Sequence, residues 1–267
     1  MIRDITIGQY YPSDSPIHHL DPRVKLFATL LYIISLFLSK SFVVFAVAGV
    51  VLLVCIVISK VPFRYMIKGL KPVWILLVFI CIVNVFFGKG DVLYFHWRFI
   101  HIYREGILQA LMRVVRLVEL ILGSSLMTYT TTPTELTDGL EKAFHPLEKL
   151  HVPVHTFAMM MTISLRFIPT LLEETDKIMT AQKARGASFS EGNLLQRAKA
   201  LVPILVPLLV SSFHRAEELA TAMECRCYRG ETGRTKMRQL HAAGRDYAAM
   251  AVTLLLFAGA VAVKIIF

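Results

Sequence analysis

The amino-acid sequence predicts an all-α membrane protein, with about five transmembrane helices and a cytoplasmic helical region between the fourth and the fifth. Three observations lead there. At 267 residues with 55% hydrophobic side chains and a mean hydropathy of +0.59, the chain is too apolar for an ordinary soluble domain. Uncharged runs at 41–59, 72–88 and 247–263 approach the ~20 residues that cross ~30 Å of hydrocarbon. Charge is also unevenly placed: residues 1–130 hold 13 basic and 6 acidic side chains, whereas 131–246 hold 15 and 13. The net charge of +10 is therefore concentrated where loops meet the membrane. The charge-mixed later stretch suits a surface that meets folded protein and gives no reason to expect a nucleic acid.

Taken in order, the first 25 residues are too polar and proline-rich for a cleavable signal peptide. Two shorter uncharged runs, 26–39 and 120–133, count as spans if Lys25, Lys40, Arg113 and Arg116 snorkel or find partners. Arg116 and Glu119 are spaced to pair on one helix face. Runs at 152–165 and 200–213 contain or adjoin Pro153, Pro203 and Pro207. They can be re-entrant, interfacial or buried as readily as spanning, so the count is five with six or seven open. Lysine and arginine set the orientation. An inside N-terminus puts Arg3, Arg23, Lys25, Lys60, Arg64, Lys68, Lys71 and the stretch 134–246 in the cytosol, leaving Lys40, Lys89, Arg98 and Arg104 outside. The organisation is then a membrane region at 1–131, a coupling-helix region at 132–246 and a last span at 247–267.

The polar region reads as a series of helices. Thr132, Pro133 and Glu135 form a capping box ahead of Leu136, Leu140 and Phe144, and the helix stops before Pro146. A longer helix begins near Pro153 and runs past Arg166 and a bend at Pro169 to Lys183, with Gly186 as its stop. Ser190 and Glu191 start a third, short helix. A fourth runs from the Pro203/Pro207 region through Ala216 and Ala220 to Arg226. Both long segments begin apolar, become polar and end on an arginine four residues after an alanine: Ala181 to Arg185 and Ala222 to Arg226. This is a weak internal duplication.

An arginine at a helix end is always charged, offers a planar fork of donors and suits bidentate pairing with a carboxylate. The helix C-terminus stabilises the cation, and a small neighbour such as Ala184 or Gly186 lets another surface approach. Either arginine alone reads as a cap on its own helix. Two in matched context read as a docking device for two similar acceptors.

These residues carry a resemblance. Leu20-Asp21-Pro22-Arg23, followed by Lys25 and Leu26, together with Ala184-Arg185-Gly186 and Cys225-Arg226-Cys227, resembles the transmembrane coupling subunits of energy-coupling factor transporters, the CbiQ/EcfT superfamily. The second arginine motif departs from the family's Ala-Arg-Gly pattern. Tyr228-Arg229-Gly230 competes with it, and Arg226 is preferred for its spacing from Ala222. The resemblance implies a non-catalytic scaffold in a bacterial cell membrane, with its N-terminus in the cytosol. Its partners would be two cytosolic ABC ATPases, which bind the ATP and magnesium, and a small membrane-embedded substrate-binding S component. The implied cargo is a vitamin; the Gly233-Arg234-Thr235 stretch leans toward the shared, vitamin-transporting kind, and a coupling subunit dedicated to cobalt, nickel or biotin is the variant reading. Asp21 and Pro22 by themselves form an ordinary helix start.

No cofactor or catalytic group is expected in the chain. It has no Gly-x-x-x-x-Gly-Lys-Ser/Thr phosphate loop. Cys225 and Cys227 stand too close for an ordinary helical disulfide, so no disulfide framework is implied. The rival class is a metal-dependent membrane enzyme, for which His151 and His155 have an i, i+4 spacing; Pro153 between them and the lack of a His-Glu-x-x-His pattern argue against it. Met159-Met160-Met161 reads as core, or as an adaptable partner surface because methionine repacks easily.

Overall fold

The computed structural model describes residues 10–39, 41–87, 93–97, 100–187, 189, 193–228, 230 and 243–266. The chain falls into two compact units, one formed by residues 8–139 and 239–267 and the other by 1–7 and 140–238. Each is taken by itself.

The first unit starts with α1 (Pro22–Leu38), where Asp21 caps the helix through the Arg23 N–H and Pro22 occupies the first turn. α2 (Phe42–Ser59) ends at Lys60 in a left-handed conformation, φ 56°. α3 (Phe63–Leu70) leads through a 3-10 turn at Lys71–Val73 into α4 (Trp74–Phe87). Strands β1 (Leu93–Trp97) and β2 (Ile100–Tyr103) pair antiparallel. The class remains all-α, and this hairpin is a local addition between the third and fourth expected spans. The aromatic residues of β1 and the isoleucines of β2 carry the signal. α5 (Arg104–Thr130) follows, then the start of α6 (Pro133–Phe144) and, at the far end of the chain, α9 (Gly244–Ile266). α1, α2, α5 and α9 pack around Leu36, Phe45, Ala48, Leu52, Met66, Leu126 and Leu256.

The uncharged run at 120–133 lies largely in α5, which starts at Arg104 and carries Arg113, Arg116 and Glu119 inside the helix. One expectation is corrected here, the pairing of Arg116 with Glu119. Arg113 Nη1 donates to Asn84 Oδ1, and Arg116 Nη2 donates to the Ser39 carbonyl at 2.7 Å while its guanidinium lies over the Phe45 ring. The cations are partnered across helices, so they need not end this one. For the same reason Arg116 does not pair with Glu119, whose Oε2 is buried and without a hydrogen-bond partner among the described residues.

The second unit holds the end of α6, a 3-10 segment at His145–Leu150, and two long helices, α7 (Val154–Ala184) and α8 (Leu194–Cys225). The capping box that opens α6 is formed as read: the Glu135 N–H donates to Thr132 Oγ1 and the Thr132 N–H to Glu135 Oε2. α7 continues through Pro169 and stops at Gly186, as expected. The fourth expected helix does not start at the prolines. α8 begins at Leu194 behind an Asn193–Gln196 capping box and runs through both Pro203 and Pro207. The expected start of a third helix, at Ser190 and Glu191, lies outside the described residues.

The continuity of α8 has a physical cause. Pro207 lacks the N–H that would bond the Pro203 carbonyl. Gln182 Nε2 of α7 donates to that carbonyl at 3.3 Å, so the neighbouring helix satisfies the orphaned group.

By length and composition, five stretches among the described residues can cross a membrane: Phe42–Ser59, Phe63–Phe86, Val154–Ala184, Ala198–Cys225 and Gly244–Ile265. The protein is a multi-pass membrane protein. The set includes α7 and α8, whose N-terminal halves are apolar and whose C-terminal halves are charged. Neither α1 nor the charge-bearing α5 is in it.

Candidate docking site at two helix ends

The spacing Ala-x-x-x-Arg is the hydrogen-bond register of a helix end. The Arg185 N–H donates to the Ala181 carbonyl at 3.2 Å, and the Arg226 N–H to the Ala222 carbonyl at 3.3 Å. Each arginine is the C-cap of its helix, with φ −85° and ψ 6° at Arg185 and φ −90° and ψ 15° at Arg226. Beyond each cap the chain closes a Schellman motif. The Gly186 N–H meets the Lys183 carbonyl and the Ala187 N–H the Gln182 carbonyl, both at 3.0 Å. At the second end the Cys227 N–H meets the Glu224 carbonyl at 2.9 Å and the Tyr228 N–H the Met223 carbonyl at 3.0 Å.

Gly186 adopts φ 87° and Cys227 adopts φ 57°. The cysteine thus stands in the left-handed position where glycine is the natural choice. The departure from the Ala-Arg-Gly pattern changes the side chain but not the geometry. Ala184, Arg185, Gly186, Cys225, Arg226 and Cys227 are all exposed. Arg229, the competing second arginine, lies outside the described residues, as does the 233–235 stretch.

The two ends share more than the spacing singled out in the sequence. Asp176, Thr180, Ala181 and Arg185 recur in the same order as Glu217, Thr221, Ala222 and Arg226. Each threonine bonds back into its helix: Thr180 Oγ1 to the Asp176 carbonyl at 2.7 Å and Thr221 Oγ1 to the Glu217 carbonyl at 2.9 Å. The acid-x-x-x-Thr-Ala-x-x-x-Arg repeat is readable in the sequence and extends the Ala-x-x-x-Arg spacing by two members.

Three contacts fix how the helices lie. Glu174 pairs with Arg215 at 2.7 Å, Gln182 reaches Pro203, and the Tyr228 hydroxyl donates to Met159 Sδ at 3.4 Å. Residues late in α7 meet residues early in α8, and residues early in α7 meet residues late in α8, so the pair is antiparallel. Glu174 and Arg215 hold corresponding places in the two segments and meet at its middle, as a local two-fold relation requires. The two capped arginines therefore stand at opposite ends of the pair, separated by about 35–40 Å at 1.5 Å per residue.

The N-terminal motif has a different surrounding. Asp21 Oδ1 accepts the Arg23 N–H at 3.0 Å, and Arg23 Nε lies 3.7 Å from the same oxygen. The Asp21 N–H donates to Asp246 Oδ1 at 2.8 Å, and Asp246 Oδ2 accepts the Ala243 N–H at 2.7 Å. Pro22 packs on Gly139, where an added Cβ would come within 3.0 Å of the Pro22 Cβ. Lys25 Nζ donates to the carbonyls of His18 and Thr130 at 3.0 and 2.8 Å. Burial pushes the His18 imidazole below its usual range; its bond to the Tyr11 carbonyl opposes this and the Lys25 cation adds to it. Leu20 to Arg23 thus form a structural pin, in which Asp246 is the partner that sequence reasoning missed.

The two histidines with i, i+4 spacing are placed differently from one another. His155 Nδ1 is taken by Glu141 at 2.8 Å, His151 sits in a left-handed turn, and the described residues contain no group of three or more metal-ligating side chains. Of the three methionines, Met159 accepts the Tyr228 hydroxyl, whereas Met160 and Met161 are exposed.

Comparison with known proteins agrees with the motifs. Residues 13–237 match the family model CbiQ, described as cobalt transport protein. The chain is 55% identical over 257 residues to the energy-coupling factor transporter transmembrane protein EcfT of Clostridium kluyveri, covering 96% of this chain and 95% of that one. It is 47% identical over 267 residues, the full length of both chains, to the EcfT of Ruminiclostridium cellulolyticum. With the EcfT of Bacillus subtilis it shares 46% over 246 residues, 92% of this chain and 93% of the other. The two arginine-capped helices, the Asp21 pin and these full-length matches together place the chain in the CbiQ family, among the EcfT-type transmembrane proteins of energy-coupling factor transporters.

Proposed function

We propose that the chain is the coupling scaffold of an ATP-driven importer. Arg185 and Arg226 each enter an acidic groove on one of two cytosolic ATPases. The observation that carries this reading is the pair of identical Schellman-capped ends, held at opposite ends of an antiparallel helix pair. Two like cations about 35–40 Å apart, at 1.5 Å of helix rise per residue, suit two like acceptors. A single protein contact would need only one.

In this reading ATP and magnesium are bound by the partners, and residues 132–246 form the lever between ATPases and membrane. The apolar halves of α7 and α8 face the bilayer and a small S component that holds the cargo, a vitamin. Exposed Phe157, Met160 and Met161 offer that component an adaptable apolar surface. Full-length identity to proteins named for energy-coupling factor transporters supports this form over a subunit dedicated to one metal ion or to biotin. The setting is the bacterial cell membrane with the N-terminus inside.

Purification from native membranes should bring two ATPases and a small apolar protein with the chain. The isolated chain should neither hydrolyse ATP nor hold a vitamin tightly. ATPase activity in a pure preparation of the chain alone would overturn the scaffold reading.

Orientation has its own test in the exposed thiols of Cys225 and Cys227. An impermeant maleimide added to intact cells should leave them unlabelled, and permeabilisation should expose them. Labelling from outside would remove Arg226 from the ATPase side and end the two-groove reading.

A further inference from the structure

Between residues 22 and 90 the sequence contains no Asp or Glu. Of the eight cations in that interval, Lys60, Arg64, Lys68 and Lys71 lie on or beside α3. Arg64 and Lys68 lie one turn apart, and Lys71 follows three residues later on the same side. The opposite side of α3 is seated in the protein: Met66 is fully buried, and a Cβ on Gly69 would come within 3.3 Å of Ser125 Oγ. The Tyr65 carbonyl accepts the Tyr129 hydroxyl at 3.2 Å, and Lys68 Nζ lies 5.5 Å from the Tyr65 ring centroid. The helix is thus held with its cations outward, and among the described residues Arg64, Lys68 and Lys71 make no ion pair. Lys60 is set apart, because it ends α2 in a left-handed conformation and is not on α3.

Apolar side chains flank the cations. Phe63 is 53% exposed and Ile67 54%, and Trp74, where α4 begins, is 64% exposed. The uncharged part of the Phe63–Phe86 stretch follows Lys71 and runs through α4, and a tryptophan where that helix begins marks the headgroup level. A basic helix face with exposed Phe and Ile beside it, at that depth, has the chemistry of a membrane-surface element.

We infer that α3 is an anionic-phospholipid site, in which Arg64, Lys68 and Lys71 hold headgroup phosphates while Phe63 and Ile67 enter the acyl boundary. The one-signed charge selects anionic over zwitterionic lipid. The interleaved apolar residues favour a bilayer over an acidic soluble protein, whose docking would leave Phe63 and Ile67 against water at its rim. The inference does not depend on the arginine docking proposed above, since the two sites lie in different units of the chain.

The test uses the full chain in nanodiscs of phosphatidylcholine with a minor fraction of phosphatidylglycerol, and counts the lipids that stay bound by native mass spectrometry. The wild type should retain phosphatidylglycerol selectively. Selectivity should fall about fivefold for each cation removed, the equivalent of ~1 kcal/mol per charge near the surface. Arg64→Gln, Lys68→Gln and Lys71→Gln combined should abolish it, Lys68→Arg should retain it, and raised salt should weaken it in the wild type. Undiminished phosphatidylglycerol in the triple variant overturns the inference. Parallel loss of both lipids also overturns it, since the face would then be merely apolar. If the variants instead lose an acidic protein partner with lipid selectivity intact, the face belongs to that protein. Should the triple variant fail to fold, wild-type selectivity that is indifferent to salt overturns the inference by itself.

Discussion

Arg185→Ala and Arg226→Ala should each cost the importer its assembly or its coupling. Truncating a cation that fills an acidic groove leaves a desolvated carboxylate unpaired, a loss of ~2 to 5 kcal/mol. That is a weakening of ATPase binding from about thirtyfold to several thousandfold. The simpler reading, that each arginine only caps its own helix, predicts ~0.3–1 kcal/mol of helix stability and no change in ATPase recovery. The two readings are therefore well separated. Arg226→Glu should be worse than alanine, because it sets two anions against each other, and an acidic-to-arginine change in one ATPase should restore part of the function. Arg229→Ala is the control: with the second motif read at Arg226, its loss should leave ATPase recovery unchanged. The measurements are vitamin uptake and ATPase co-purification, with the three alanine variants side by side. A severe Arg229→Ala with a silent Arg226→Ala would move the second motif by three residues, despite the matched caps. Silence in all three would end the docking mechanism.

What the sequence disclosed about this site depended on whether the cause was local. The Thr132–Glu135 capping box, the stop at Gly186 and the Ala-x-x-x-Arg register are all set within a few residues of chain, and each is found where it was read. Pro203 and Pro207 misled because their usual effect on a helix is local, while the remedy, Gln182 reaching across from α7, is tertiary. Arg116 and Glu119 misled in the same way: their spacing offers a pair on one helix, but the Ser39 carbonyl and the Phe45 ring take the arginine from other helices. The antiparallel meeting of Glu174 with Arg215 was legible in part. The acid-x-x-x-Thr-Ala-x-x-x-Arg repeat, once aligned, places those two residues in corresponding positions. Only the fold shows that they touch.

Asp246 makes the contrast quantitative, because the recognisable motif names Asp21 and not its partner. Asp246 is 2% exposed and both its oxygens are engaged, one by the Asp21 N–H and the other by the Ala243 N–H. Asp246→Ala removes two charge-assisted bonds and strands the Asp21 N–H in a buried place. The expected cost is about 3 kcal/mol, since one hydrogen bond to a charged group contributes roughly 1.5–3 kcal/mol. Asp21→Ala leaves its own backbone N–H bonded to Asp246 and removes the cap on the Arg23 N–H, a loss of about 1 kcal/mol, together with the longer contact to Arg23 Nε. The residue outside the motif should therefore be the more damaging one to lose. Asp246→Asn, which keeps one acceptor oxygen, should fall between the two. Thermal unfolding of the purified protein in one detergent would rank the three variants. Asp246→Ala matching the wild type would show that the bond between the starts of α1 and α9 does not hold the first unit together. Asp21→Ala as the worst of the three would return the role to the motif's own side chain, through a contact other than its cap.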